Sequence, residues 1–333
     1  MRGHGETGTT GEHAPPPPSP HKTGQPSRRR VVFGGFCLCC LPSAIYAGET
    51  APLATEEIAS GIHIRRGIDE DATLANDNAI ANTGFIVGIE AVLVTDPGGS
   101  LTDGERLRAA IAQTTKLPIK YVVMSHVHPD HVFGAGAFLK DDPVFIGHAR
   151  LKETLHERSA YYREKLAAII GPEKAGVVVL PGMEIRDRAE IDLGGRIIEV
   201  TAHAASHTVC DVSLFDKNTG TLLPADLVFI GRMPSLDGSL RGWIKTLEVL
   251  KNHAAARTVP GHGPVAADWP LASAAITRYL TTLERDTKKA IADGIAIDAA
   301  IKTVAASERS EWKLFDDYNG RNVGEAYKEL EWE

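Results

Sequence analysis

Met124-Ser125-His126-Val127-His128-Pro129-Asp130-His131 decides how this chain reads: three imidazoles and a carboxylate lie within six positions. The stretch ends an apolar run over residues 119–124, which predicts a buried strand. At a strand end residues i and i+2 face the same side, so His126 and His128 can grip one ion together. Pro129 turns the chain, and Asp130 and His131 then point back from the start of the next helix. Zinc takes imidazole nitrogen and carboxylate oxygen at about 2.0–2.2 Å, and four donors in six residues do not easily share one tetrahedral ion. Two adjacent ions are the simpler arrangement.

Further donors stand at other predicted strand ends. His207 follows a strand over residues 196–201. Asp226 is the one acid in Leu222-Leu223-Pro224-Ala225-Asp226-Leu227, where a charge is costly unless paired or bound to metal. His262 lies in Val259-Pro260-Gly261-His262-Gly263-Pro264, whose glycines permit a tight turn and close backbone approach. Asp96 follows a hairpin of residues 84–88 and 91–95. Asp211 is placed to hydrogen-bond the strand or ligand loop after His207. His203 shares a strand end with His207, and a hydrogen-bonded histidine outside the site is the commoner outcome there. His148 and His156 fall on a helix predicted over 148–170. Cys210 and Trp243 read as core, and Lys245 as solvated.

A capping box from Thr102 to Glu105 predicts a helix over 102–114. Strands are expected around 184–186, 196–201, 211–215, 221–230 and 257–259, with helices over 240–251, 271–292, 298–306 and 323–330. Strands followed by helix, repeated twice, indicate two sheets sandwiched between helices.

Taken in order, Asp96, the His126–His131 cluster, His207-Thr208, Asp226 and His262 resemble the metallo-β-lactamase superfamily over roughly residues 57–265. The resemblance implies an α/β, four-layer αββα sandwich with a C-terminal helical extension over about 266–333, in one domain of residues 48–333. It implies His126, His128 and His207 around a first Zn²⁺, and Asp130, His131 and His262 around a second. Asp226 would bridge them, and Asp96 would orient the ligand loop without ligating. The carboxylate at Asp226, where well-known lactamases often place a cysteine, favours the wider hydrolase branch.

The runs Ser206-His207-Thr208-Val209-Cys210-Asp211, Pro234-Ser235-Leu236-Asp237-Gly238-Ser239, Val259 to Pro264 and the ending Asn322-Val323…Ala326-Tyr327…Leu330-Glu331-Trp332 narrow the likeness. They are similar to exported metallohydrolases associated with quinoprotein (PQQ-linked) oxidation systems. The expectation is a metallohydrolase with two Zn²⁺, whose bridging hydroxide attacks a small-molecule ester, thioester, lactone or amide, with Asp130 orienting the water and shuttling its proton. Two alternatives belong to other classes. One is an accessory protein binding a quinone cofactor or a dehydrogenase; the other is a mononuclear iron persulfide dioxygenase-like oxidoreductase.

Composition bounds the rest. The 333 residues carry 36 Lys+Arg and 43 Asp+Glu, a net charge of −7, with 43% hydrophobic. Five of those basic and two of those acidic side chains fall in residues 1–47, so the remainder carries −10. A body that acidic lacks the footprint for a phosphate backbone, and nucleic acid is not an expected partner. Residues 1–26 read as disordered, being rich in Gly, Pro and His. Ser27-Arg28-Arg29-Arg30, an apolar stretch over 31–41 and small residues ending at Ala44 and Ala47 form a secretory signal pattern, by the Tat or Sec route, predicting a periplasmic protein. Cys37, Cys39 and Cys40 lie inside it, leaving Cys210 with no disulfide partner. Nothing after residue 48 predicts membrane insertion of the cleaved protein. Substrate selection is expected from the loop near Asn76–Asn78, the helix over 151–170 and the segment 231–242.

Overall fold

Strands that are apolar on both faces have to be covered on both faces, and this requirement sets the architecture. The computed structural model describes residues 51–332; the predicted leader and signal, 1–47, lie outside them. One sheet runs β1 (Glu56–Ala59), β2 (Ile62–Arg65), β3 (Thr83–Val87), β4 (Val92–Thr95), β5 (Ile119–Val123), β6 (Val144–His148), β7 (Met183–Ile185), in that spatial order. It is antiparallel as far as β4 and parallel from β4 to β7. The other runs β13 (Ala267–Asp268), β12 (Arg257–His262), β11 (Thr221–Phe229), β10 (Val212–Asp216), β9 (Ile197–Ala202), β8 (Arg188–Asp192). Its β11–β12 pair is parallel and the rest antiparallel.

Between the sheets pack Ile62, Leu93, Val123, Ile146, Ile198, Leu214 and Val259, all buried. The outer face of the first sheet, through Val92, Val94 and Val122, meets Leu107 and Ile111 of α1 (Leu101–Thr114). Pro129–Val132 forms the single turn α2, and α3 (Leu151–Ile170) adds Leu155 and Leu166 to the same cluster. Leu222, Leu227 and Phe229 on the outer face of the second sheet meet Trp243 and Leu247 of α4 (Leu240–Lys251) and Tyr279 and Leu283 of α5 (Ala274–Ala292). After α6 (Ile297–Thr303), α7 (Phe315–Leu330) adds Val323 and Ala326 to that layer. Each such side chain removed from water contributes about 1.5–3 kcal/mol. The result is the four-layer αββα sandwich with C-terminal helices. Among the described residues no helix is long and apolar enough to cross a membrane.

Several local expectations are corrected. The cap of α1 is Ser100, whose Oγ accepts from Asp103 N at 3.1 Å, rather than the box from Thr102. His148 ends β6 instead of opening a helix. The last helix starts at Phe315, eight residues before the predicted 323, because Phe315, Asn319 and Asn322 are buried in the core despite the polar composition around them. Residues 271–273 form a separate 3₁₀ turn ahead of α5.

Candidate metal centre

The donors converge because the strands that carry them end on one rim of the sandwich. Ser125, His126 and His128 follow β5, Asp130 and His131 lie on α2, His207 follows β9, and β11 and β12 bring Asp226 and His262. The β11–β12 register shifts on both sides of Ala225, which sits at a left-handed φ of 46°. That irregularity brings Asp226 against Gly261: a Cβ built on Gly261 would stand 1.9 Å from Asp226 Oδ1. The close approach expected of this glycine is therefore made to a carboxylate.

Asp96 orders the cluster from below. Its Oδ1 accepts from Ser125 N at 2.7 Å, and its Oδ2 from Ser125 Oγ at 2.9 Å and His131 Nδ1 at 2.8 Å. Ser125 Oγ has spent its proton on Asp96, so it accepts from His126 Nδ1 at 3.0 Å. His207 Nδ1 donates to Ser235 O at 2.7 Å, His262 Nδ1 to Ile80 O at 3.0 Å, and His128 Nε2 to Asp237 Oδ2 at 3.2 Å. A neutral imidazole has one N–H, so these outward partners fix all five tautomers and leave five lone pairs facing inward.

Those inward atoms stand where a shared cation needs them. His128 Nδ1 is 3.1 Å from His126 Nε2 and 3.0 Å from His207 Nε2. Asp226 Oδ2 is 3.7 Å from His126 Nε2, and 3.4 Å from both His207 Nε2 and His262 Nε2. Asp226 Oδ1 is 3.0 Å from His131 Nε2, yet neither atom has a hydrogen-bond partner, and both are buried. Asp130 Oδ2 lies 3.5 Å from His131 Nε2 and 3.3 Å from His262 Nε2. Donors at about 2.0–2.1 Å from a tetrahedral zinc are separated by about 3.3 Å, so the spacing fits. His126, His128, His207 and Asp226 form one group able to hold a metal ion, and Asp130, His131 and His262 a second. Lone pairs set against lone pairs, beside orphaned buried atoms, call for a cation.

Electrostatics agree. Burial pushes the His131 imidazole down, but Asp226, Asp130 and Asp96 outweigh it and hold it well above its ordinary value. For Asp226 burial works upward, and His131 and His262 reverse it to well below the carboxylate range. Burial keeps His207 neutral, at about 3, and drives His126 far down as well. The centre thus sets ionised carboxylates beside neutral His126 and His207, and against the effect of burial Asp226 and Asp130 hold His262 above its ordinary value as they do His131, a field that favours positive charge.

Asp211 closes the turn after His207, accepting from Thr208 N at 2.9 Å and Thr208 Oγ1 at 2.7 Å; burial pushes its carboxyl up to about 7 against those two bonds. His203 bonds Ser213 Oγ at 2.8 Å, outside the cluster. Trp243 and Cys210 are core, and Lys245 and His156 are exposed.

Two residues of the site carry no signal in the sequence. Asp237 fixes His128, and Arg158 of α3 pairs with the same Asp237 Oδ2 and reaches Tyr162 Oη at 3.4 Å. Asp237 stands in a run already noted, but the link to Arg158 spans 79 residues and leaves no mark in either segment. Asp237→Ala should weaken metal binding by about 10–100-fold, read by competition with a chromophoric chelator. An unchanged affinity would show that His128 needs no such anchor.

The cluster opens into a cavity of about 820 Å³, reached by Tyr162 of α3, by Arg232, Leu236 and Asp237, and by α6 and α7. The helix and the 231–242 segment line it as expected. Asn76 and Asn78 do not: they are buried, and their side chains donate to Asp71 O and Gly99 O, shaping their own loop.

The family model of the metallo-β-lactamase superfamily matches residues 77–262. A linear primary-alkylsulfatase from Pseudomonas sp. is 25% identical over 211 residues, covering 52% of this chain and 40% of that protein. The chain therefore matches less than half the length of this relative. Among solved structures, a metallo-β-lactamase from Pontibacter korlensis is similar at a TM-score of 0.55 and 20% identity, over 69% of this chain and 99% of that one. The DIM-1 metallo-β-lactamase is similar at 0.53 and 15% identity, over 69% and 98%. At these identities the structures show a shared fold.

Proposed function

This chain belongs to the metallo-β-lactamase superfamily, and from that premise we propose that it is a binuclear zinc hydrolase acting on a small-molecule ester, thioester, lactone or amide. The alkylsulfatase relative adds sulfuric esters to that range. The observation that carries the reading is the set of five imidazoles anchored by outward hydrogen bonds, with the inward nitrogens of His126, His131, His207 and His262 facing Asp226 or Asp130 and that of His128 facing His126 and His207. His126, His128 and His207 would hold one ion, Asp130, His131 and His262 the other, with Asp226 between them. When bound, such ions lower the pKa of a shared water from 15.7 toward about 7 and polarise the bond to be cleaved.

The chain's own residues supply the rest. Asp130 lines the cavity with one oxygen on His131 and His262, so its carboxylate can take a proton at the cavity wall and return it to a leaving group. Asp96, Ser125, Ser235 and Ile80 keep the rings from rotating. Asp237 does the same for His128.

We further propose that the protein is exported and works beside a quinoprotein oxidation system. Support comes from the basic-apolar amino terminus and from the runs 206–211, 234–239 and 322–332. The test is elemental analysis of the purified protein with a panel of esters, thioesters, lactones, amides and alkyl sulfates. The expected result is about two zinc ions per chain and turnover of at least one class. One iron per chain with oxygen consumption overturns the reading, as does a fully zinc-loaded protein inert to the whole panel. Normal turnover by a metal-depleted His128→Ala preparation overturns it too.

A further inference from the structure

The cavity wall facing the metal cluster is built by residues beyond 262, outside the region the family model covers. Ile297 and Ile301 of α6, with Gly320 and Gly324 of α7, form much of it. Both glycines lie inside a helix, where glycine is the weakest ordinary helix former. Packing against the rest of the protein does not require the one at 324, and crowds the one at 320 only against a side-chain tip. A Cβ on Gly324 would meet no atom within 4 Å, and one on Gly320 would meet the tip of Ile301, Cγ2, at 3.1 Å. They stand one turn apart on the cavity side, so what their missing side chains preserve is room.

An independent observation says what the room is for. Arg232 lines the same cavity and is 4% exposed. Its Nη2 reaches Asp71 Oδ1 at 3.3 Å and Tyr318 Oη at 3.2 Å, and its guanidinium lies 5.1 Å from the centre of the Tyr318 ring. Its Nε is buried with no partner, and Nη1 has none among the described residues. A guanidinium carries five N–H donors in a planar fork, and unmet donors in a buried cation are costly. Asp71 answers only part of that charge: its side chain is half exposed, and Tyr318 Oη bonds the same oxygen. An acceptor for the buried Nε and its neighbouring donors can be supplied by what enters the cavity, and the fork matches a carboxylate, sulfate or phosphate group.

We propose that this cavity is a subsite for an anionic substrate with an apolar portion. Arg232 pairs with the oxyanion, and the Gly320–Gly324 face of α7, with Ile297 and Ile301, receives that portion. The proposal rests on the hydrolytic reading for the substrate's fate, but its test needs no turnover.

The experiment is isothermal titration of the zinc-loaded full chain with ligands that cannot be hydrolysed. Heptanoate, hexane-1-sulfonate and hexylphosphonate are compared with hexan-1-ol, and with acetate, methanesulfonate and methylphosphonate as short partners. At least one hexyl anion should bind tenfold or more tightly than hexan-1-ol, and which one does so identifies the oxyanion. Arg232→Gln should erase that preference, although its metal centre is untouched, and Arg232→Lys should restore part of it. Gly324→Leu should weaken the hexyl anion at least tenfold while leaving its one- or two-carbon partner within twofold. Equal binding of anion and alcohol by the wild-type chain overturns the subsite, as does a preference that survives Arg232→Gln. Equal loss of long and short anions in Gly324→Leu overturns the groove. Should Arg232→Gln fail to fold, wild-type selectivity and Gly324→Leu decide the matter. An active hydrolase without anion selectivity sinks the subsite alone, and anion selectivity without hydrolysis sinks only the reaction.

Discussion

Asp226→Asn should empty both halves of the metal centre at once. Metal content is expected to fall well below that of the parent, and turnover by at least about 10³-fold, equivalent to about 4 kcal/mol. The reason is position. Asp226 Oδ2 faces His126, His207 and His262, while Oδ1 faces His131, so one carboxylate grouped with His126, His128 and His207 also faces two donors of the second group. Asparagine keeps the shape but removes the charge, and its amide can donate to one of the inward lone pairs in place of a cation. Removing one partner from a buried charge cluster is worth about 3–5 kcal/mol, which sets the scale. A loss confined to one of two ions would instead place Asp226 in a single group. Elemental analysis alongside turnover separates these results, and a near-parental melting temperature shows that the fold is not what was lost.

The centre is legible in the sequence because its chemistry is local. His126, His128, Asp130 and His131 crowd one strand end, and a carboxylate such as Asp226 inside Leu222-Leu223-Pro224-Ala225-Asp226-Leu227 is too costly to bury without a cation or a donor beside it. What stays hidden is what depends on distant partners. Arg158 and Asp237 are ordinary surface residues until α3 and the segment before α4 bring them together. The true start of α7 escapes the sequence because Phe315-Asp316-Asp317-Tyr318-Asn319-Gly320 has weak helix propensity; tertiary bonds override it. Asn322 accepts from Leu236 N and donates to Pro234 O, and Asn319 donates to Val304 O, so this helix is held by its neighbours. The end of the strand Val144–His148 is mistaken for the start of a helix because a short apolar run cannot be assigned by periodicity alone. The wall that α7 contributes to the cavity is therefore not foreseeable from the pattern, and the loop expected to select substrate turns its asparagines inward.

Gly261→Ala should reproduce much of the Asp226 defect without removing any donor. The added methyl would stand 1.9 Å from Asp226 Oδ1 and 2.8 Å from both Asp226 N and Ala225 C. Separations under 3 Å between such atoms are not tolerated, so either the carboxylate or the strand must move. The strand has little freedom: Gly261 O accepts from Asn82 N at 2.7 Å, and Asn82 Nδ2 donates to Pro260 O at 2.8 Å. The carboxylate is the softer element, and turning it away breaks the spacing to four imidazoles. Overpacking of this kind costs about 1–3 kcal/mol of stability, a lowering of several degrees in melting temperature. The effect on the centre should be larger, with metal content and turnover falling together as in Asp226→Asn. A Gly261→Ala protein that keeps its full metal content and parental turnover would show that Asp226 is free to sit elsewhere, and a bridging role for it could not stand.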